Sequence, residues 1–75
     1  MSMTSITNNA DLGRAVRAAR EAREWSQEVL ARHAGVQRIT VTRFEGGTPV
    51  NSTTLFKVLG ALDLHVHLRP SKAPR

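Results

Sequence analysis

A glycine, Gly35, stands between two short amphipathic segments, and no other feature limits the fold of this chain as strongly. Ahead of it, Ser26 offers a side-chain oxygen to the free N–H groups of a helix start, and Gln27 and Glu28 fill the first turn. Val29, Leu30, Ala31 and Ala34 then supply one apolar side. Glycine reaches positive φ without a Cβ clash, so the backbone can turn sharply at Gly35 where any other residue would resist. Beyond the turn, Gln37 caps or starts a second short helix that runs through Glu45. Val41 and Phe44, spaced i and i+3, can both face inward, and Gly46 and Gly47 end the segment. The pattern predicts two short helices held at a fixed angle by a tight turn.

The flanking sequence supplies two more helices. Asn8, Asn9 and Asp11 can cap a first helix that runs to about Arg23, with Leu12, Ala15, Val16, Ala19 and Ala22 on one face. Their small size implies close packing against a neighbour. Thr48 to Ser52 reads as a loop around Pro49 that delivers Ser52 or Thr53 as the next cap. A final helix to about Ala61 buries Leu55, Val58, Leu59 and Leu62, with Phe56 off that stripe. From Leu64 to Arg69 the period shortens to two, placing Leu64, Val66 and Leu68 on one side and His65, His67 and Arg69 on the other. A lone strand leaves its backbone groups unpaired, so it must pair with Met3–Thr7 or with its copy in a second subunit; a two-fold axis satisfies the latter.

At 75 residues and without cysteine, the chain has neither disulfides nor a thiolate metal site to reinforce a small core, which leaves oligomerisation. The expected architecture is therefore mainly α, with four to five helices and one C-terminal strand shared by a homodimer. Residues 1–8 are expected to form a flexible leader, 9–69 the folded domain and 70–75 a disordered basic tail. Eleven Lys and Arg against six Asp and Glu give a formal charge of +5, which attracts polyanions. No apolar run approaches the ~20 residues of a bilayer span, and Met1–Asn9 lacks the pattern of a signal peptide. The expectation is a soluble, cytoplasmic protein with no membrane contact.

The stretch QEVLARHAGVQRITVTRFEG, Gln27 to Gly46, resembles the helix-turn-helix of the lambda-repressor/Cro and xenobiotic-response-element family. Arg20 and Glu45 stand where that family places an ion pair tying the first helix to the end of the recognition helix. The resemblance covers roughly Leu12 to Leu68 and is nearest to the HipB-like antitoxins. It rests on REAREWSQEVLARHAGVQRITVTRFEGG, on NSTTLFKVLGALDL, and on a terminal strand in place of a fifth helix. It implies a dimer with terminal strands paired across the two-fold, an inverted-repeat operator in double-stranded DNA, and a HipA-like kinase toxin as partner. The other reading is a stand-alone regulator with no toxin.

A helix in the major groove offers its outward N-terminal side chains to base edges. Here these are Gln37, Arg38, Thr40 and Arg43, with Arg38 and Arg43 as the main base readers. Ile39 lies near the same surface, where it meets a thymine methyl or joins the packing. Gln27 resembles the family's glutamine that grips phosphate and braces the recognition helix, with Ser26 assisting. Arg14, Arg17, Arg20 and Arg23 recur at every third position, which fits a solvated face or a grip on an acidic partner; the alanines beside them lack the bulk to enter a membrane. His65 and His67 share a strand face but lack further ligands, so no metal or other cofactor is expected. No nucleophile elbow, phosphate loop or ligand cluster points to an enzyme.

Overall fold

A computed structural model describes residues 5–68 and 70. It contains four helices in the order α1 (Asn9–Ala22), α2 (Gln27–Ala34), α3 (Arg38–Glu45) and α4 (Ser52–Ala61). Three of the four, α1, α2 and α4, begin where a side chain satisfies a free N–H group. Asn8 Oδ1 accepts from the Asp11 N–H at 2.8 Å, and Ser26 Oγ accepts from the Val29 N–H at 3.1 Å. For α4 the cap is Asn51, whose Oδ1 accepts from the Thr54 N–H at 2.8 Å, and not Ser52 or Thr53. The run Asn-Ser-Thr-Thr holds four cap-competent side chains in succession, and Asn51 is the one with extended backbone.

Gly35 terminates α2 in the left-handed region, at φ 72°. Its N–H and that of Val36 return to carbonyls of the last α2 turn, the latter to Ala31 at 3.0 Å. A Cβ placed at Gly35 would meet nothing within 4 Å, so the glycine is required by its dihedral angle and not by space.

The core is a contiguous cluster in which every helix takes part: Val16 from α1, Leu30, Ala31 and Ala34 from α2, Val41 and Phe44 from α3, and Val58 and Leu59 from α4, with Leu62 just beyond. Leu12, Ala19, Trp25 and Leu55 pack against its edge. Ala22, expected on the inner face of α1, is exposed, whereas Gly13 and Arg20 are buried. Gly13 explains how α1 and α3 come so near: a Cβ there would lie 2.5 Å from the Phe44 carbonyl oxygen and 2.7 Å from that of Glu45. The close approach uses this glycine more than the alanines.

Residues 64–68 follow α4 outside any helix or strand, and the described residues contain no strand. A β-strand exists only through its ladder of hydrogen bonds, and among the described residues no segment pairs with this one. The expected tail, apart from Pro70, and the first four residues of the expected leader lie outside the described residues; within that leader, Thr7 is tied to Asp11 through both its N–H and its hydroxyl. No helix among the described residues is long and apolar enough to cross a membrane.

Candidate nucleic-acid interface

With about 3.6 residues per turn, the inward direction of α3 is set by Val41 and Phe44, both about 1% accessible. The opposite side carries Ile39, Thr42 and Arg43, all exposed, with Arg38 on one flank and half-buried Thr40 on the other. Ile39 is 48% accessible, which places it on this outer ridge and not in the packing. Arg43 and Thr40 border a shallow groove whose other wall is the loop Thr48–Asn51. Gln37 caps α3 with its backbone, and its side chain makes no capping bond and is exposed.

Charge is distributed to leave that ridge cationic. The first turn of α3 contains no acid. Its acidic residue is Glu45 at the far end, with a side chain only 4% accessible and bound to Arg20. Three other carboxylates pair with arginines of α1 and of its C-cap: Asp11 with Arg14, Glu21 with Arg17 and Asp63 with Arg23. The three arginines of α1 and the one that caps it are thus met by acids of the chain itself. Arg38 and Arg43 have no ion pair among the described residues.

What fixes α3 against the rest of the molecule is a polar cluster at its C-terminal end. Arg20 Nε donates to Glu45 Oε2 at 2.6 Å and Nη2 donates to Oε1 at 3.0 Å, a two-pronged pairing of planar groups. Arg20 Nη1 also donates to the Trp25 carbonyl at 2.7 Å, so one side chain ties α1, the loop after it and α3. Hydrogen bonding to Glu45 holds the Arg20 guanidinium above its ordinary pKa, against the opposing effect of burial. Among the described residues no buried side-chain nitrogen or oxygen lacks a partner. Gln27, first residue of α2, joins the same cluster: its Nε2 donates to Glu45 Oε1 at 3.0 Å and its Oε1 accepts from the Thr42 hydroxyl at 2.8 Å.

The structure therefore brings Gln27 against the side of α3, with Ser26 immediately before it at the exposed start of α2. The Ser26 oxygen accepts within its own cap, which leaves the hydroxyl proton available to a group outside. Thr42 is the residue the sequence reading passed over. Its i+4 relation to Arg38 marks it as a ridge residue, but its bond to Gln27 depends on how α2 and α3 cross.

Away from α3, Trp25 stacks on His33 with ring centroids 4.3 Å apart, and the Arg23 guanidinium lies 5.1 Å from the Trp25 ring centroid. Leu64, Val66 and Leu68 are exposed, as is Phe56 on α4 at 60%. Val66 and Leu68 border an apolar groove with Ile6, Leu12, Leu55 and Leu59. His65 and His67 are exposed, and no group of three or more His, Cys, Asp or Glu side chains placed to hold a metal occurs among the described residues.

Residues 11–69 match the family described as a helix-turn-helix domain. The chain is 34% identical over 74 residues to Antitoxin HipB of Escherichia coli strain K12, covering 96% of this chain and 83% of that protein. It is 33% identical over 73 residues to Antitoxin HipB of E. coli O6:H1 strain CFT073, covering 78% of it. Among solved structures, the chain superposes on one from a HipA–HipB–O2–O3 complex with TM-score 0.84 at 30% identity, covering 93% of this chain and all of that one. It also superposes on one from a HipB–O2 20mer complex with TM-score 0.85 at 30% identity, covering 95% and 100%. From its turn at Gly35, its Arg20–Glu45 tie and these similarities along nearly its whole length, the chain belongs to the helix-turn-helix family and, within it, to the HipB antitoxins.

Proposed function

We propose that this protein is a DNA-binding transcriptional repressor and the antitoxin of a HipBA-type operon, which represses its own promoter and binds a HipA-like kinase. The observation that carries the DNA-binding half is the outer ridge of α3, where Arg38 and Arg43 stand exposed without an ion pair among the described residues. Either arginine can pair with both guanine O6 and N7 in the major groove. On this reading Gln37 and Thr40 join them at base edges, Ile39 meets a thymine methyl, and Ser26 and Gln27 grip the phosphates that set register. The antitoxin half is supported by the relatives, which are named as antitoxins and include a chain solved in a complex with HipA. The protein acts by binding and carries out no chemistry of its own.

Two copies complete the reading. Leu64, Val66 and Leu68 are exposed beside an apolar groove, and antiparallel pairing of this segment with its copy across a two-fold axis satisfies its backbone and covers those side chains. Such a dimer presents two copies of α3 about 34 Å apart, which calls for an inverted-repeat operator with half-sites one helical turn apart. The setting is the bacterial cytoplasm, as the relatives' source suggests.

The test is to co-express the chain with a HipA-like kinase encoded beside it, where its operon holds one, purify through a tag on the kinase, and measure binding of the complex and of the free chain to the upstream promoter by fluorescence anisotropy. A stoichiometric complex and promoter binding with steep salt dependence are expected. Promoter binding without kinase capture would leave a stand-alone regulator, and absence of both would overturn the reading.

A further inference from the structure

The Gln27 amide has a definite polarity that the surrounding groups impose, and this deepens the DNA-binding reading on which it rests. An amide offers two N–H donors on one side and an acceptor oxygen on the other, and which way it points decides what it can meet. Glu45 carries only acceptors in its pairing with Arg20, so the Gln27 Nε2 must face it, as it does at 3.0 Å. That contact uses one of the two N–H groups. Oε1 then accepts from the Thr42 hydroxyl at 2.8 Å, and the same hydroxyl lies farther, at 3.2 Å, from the Arg38 carbonyl one turn back, so its single proton favours Gln27. What remains is the second N–H and one lone pair of an oxygen already held by Thr42. Gln27 is half-buried at the start of α2, and Thr42 is exposed on the ridge of α3.

We propose that Thr42, acting with Glu45, is a positioning residue that locks the Gln27 amide so that its oxygen is engaged within the protein and an N–H is left to donate to DNA. Phosphate oxygens are acceptors only, so an amide turned the other way would set oxygen against oxygen. Thr42 thereby contributes to binding through Gln27, while its own position on the ridge accounts for no part of this effect. Arg38 and Arg43 neutralise charge and weaken with salt; the Gln27 contact is uncharged, and its loss lowers affinity without changing the salt slope.

The experiment uses the full chain and a promoter duplex in which single phosphates are replaced, one position at a time, by uncharged methylphosphonates. The phosphate met by Gln27 is the position where replacement weakens the wild-type protein but not Gln27→Ala. Thr42→Val keeps the shape of the side chain and removes the donor. It is expected to bind the unmodified duplex about three- to tenfold more weakly, the size of one neutral hydrogen bond, with an unchanged salt slope and an unchanged melting curve. It is also expected to lose the sensitivity to replacement at that one phosphate, and Thr42→Ser is expected to restore both properties. Full methylphosphonate sensitivity in Thr42→Val would overturn the proposal, as would a scan with no Gln27-dependent position. Failure of the wild-type chain to bind any promoter duplex is a separate result, and it would remove the DNA-binding reading itself.

Discussion

Arg20 and Glu45, 25 residues apart in the chain, meet through two hydrogen bonds at 2.6 and 3.0 Å with side chains only 10% and 4% accessible. A pair this buried gives little net stability, because two ions must leave water to form it, but breaking it strands a charge in the protein. Its effect is to fix where α3 stands. Arg20→Met alone is expected to destabilise the domain by about 3–5 kcal/mol, and Glu45→Leu alone by a similar amount. The double variant Arg20→Met/Glu45→Leu is expected to recover much of that loss. Denaturant unfolding of the four proteins checks this as a double-mutant cycle.

Two glycines inside helices should respond in opposite directions to the same change. Alanine is favoured over glycine in a helix by about 0.5–1 kcal/mol. Gly60→Ala is expected to stabilise by about that amount, since a Cβ there meets nothing within 4 Å. Gly13→Ala would press its Cβ to 2.5 Å from the Phe44 carbonyl and force α1 away from α3, at a cost of about 1–3 kcal/mol or more. Thermal melts of the two variants decide the matter.

The start of α1 should loosen in acid. The Thr7 hydroxyl and N–H bonds, with a smaller contribution from Arg14, hold the Asp11 carboxyl below its usual range. A carboxyl lowered on folding stabilises the folded state above its unfolded pKa, and that stabilisation disappears as pH falls through the lowered value. Hydrogen exchange at Thr7 and the first turn of α1 is expected to become less protected below about pH 4, and Asp11→Asn should remove the pH dependence.

Much of this was legible in the residues. The turn at Gly35, the caps at Asn8 and Ser26 and the inward Val41 and Phe44 follow from local rules, because each depends only on neighbours within a turn or two. What the sequence hides depends on how helices cross. Gly13 reads as a poor helix former until α3 is seen against it, and Arg23 meets Asp63 only once the chain has folded, whereas the pairs Asp11–Arg14 and Arg17–Glu21 are neighbours on one helix. Thr42 is plain as a ridge residue, yet its bond to Gln27 is a tertiary fact. The segment Leu64–Leu68 announces a strand by its alternation, but alternation does not say what pairs with it, and no partner for it occurs among the described residues.

The ridge of α3 is the centre of the account, and selection of bound sequences from a randomised duplex pool tests it most directly. The wild-type chain should enrich an inverted repeat. Arg43→Ala and Arg38→Ala should each lose preference at particular base pairs, about 1–3 kcal/mol per contact, while Gln27→Ala weakens all sites alike and keeps the motif. If both arginine variants enriched the same motif as the wild type with the same discrimination, α3 would not be the element that reads DNA.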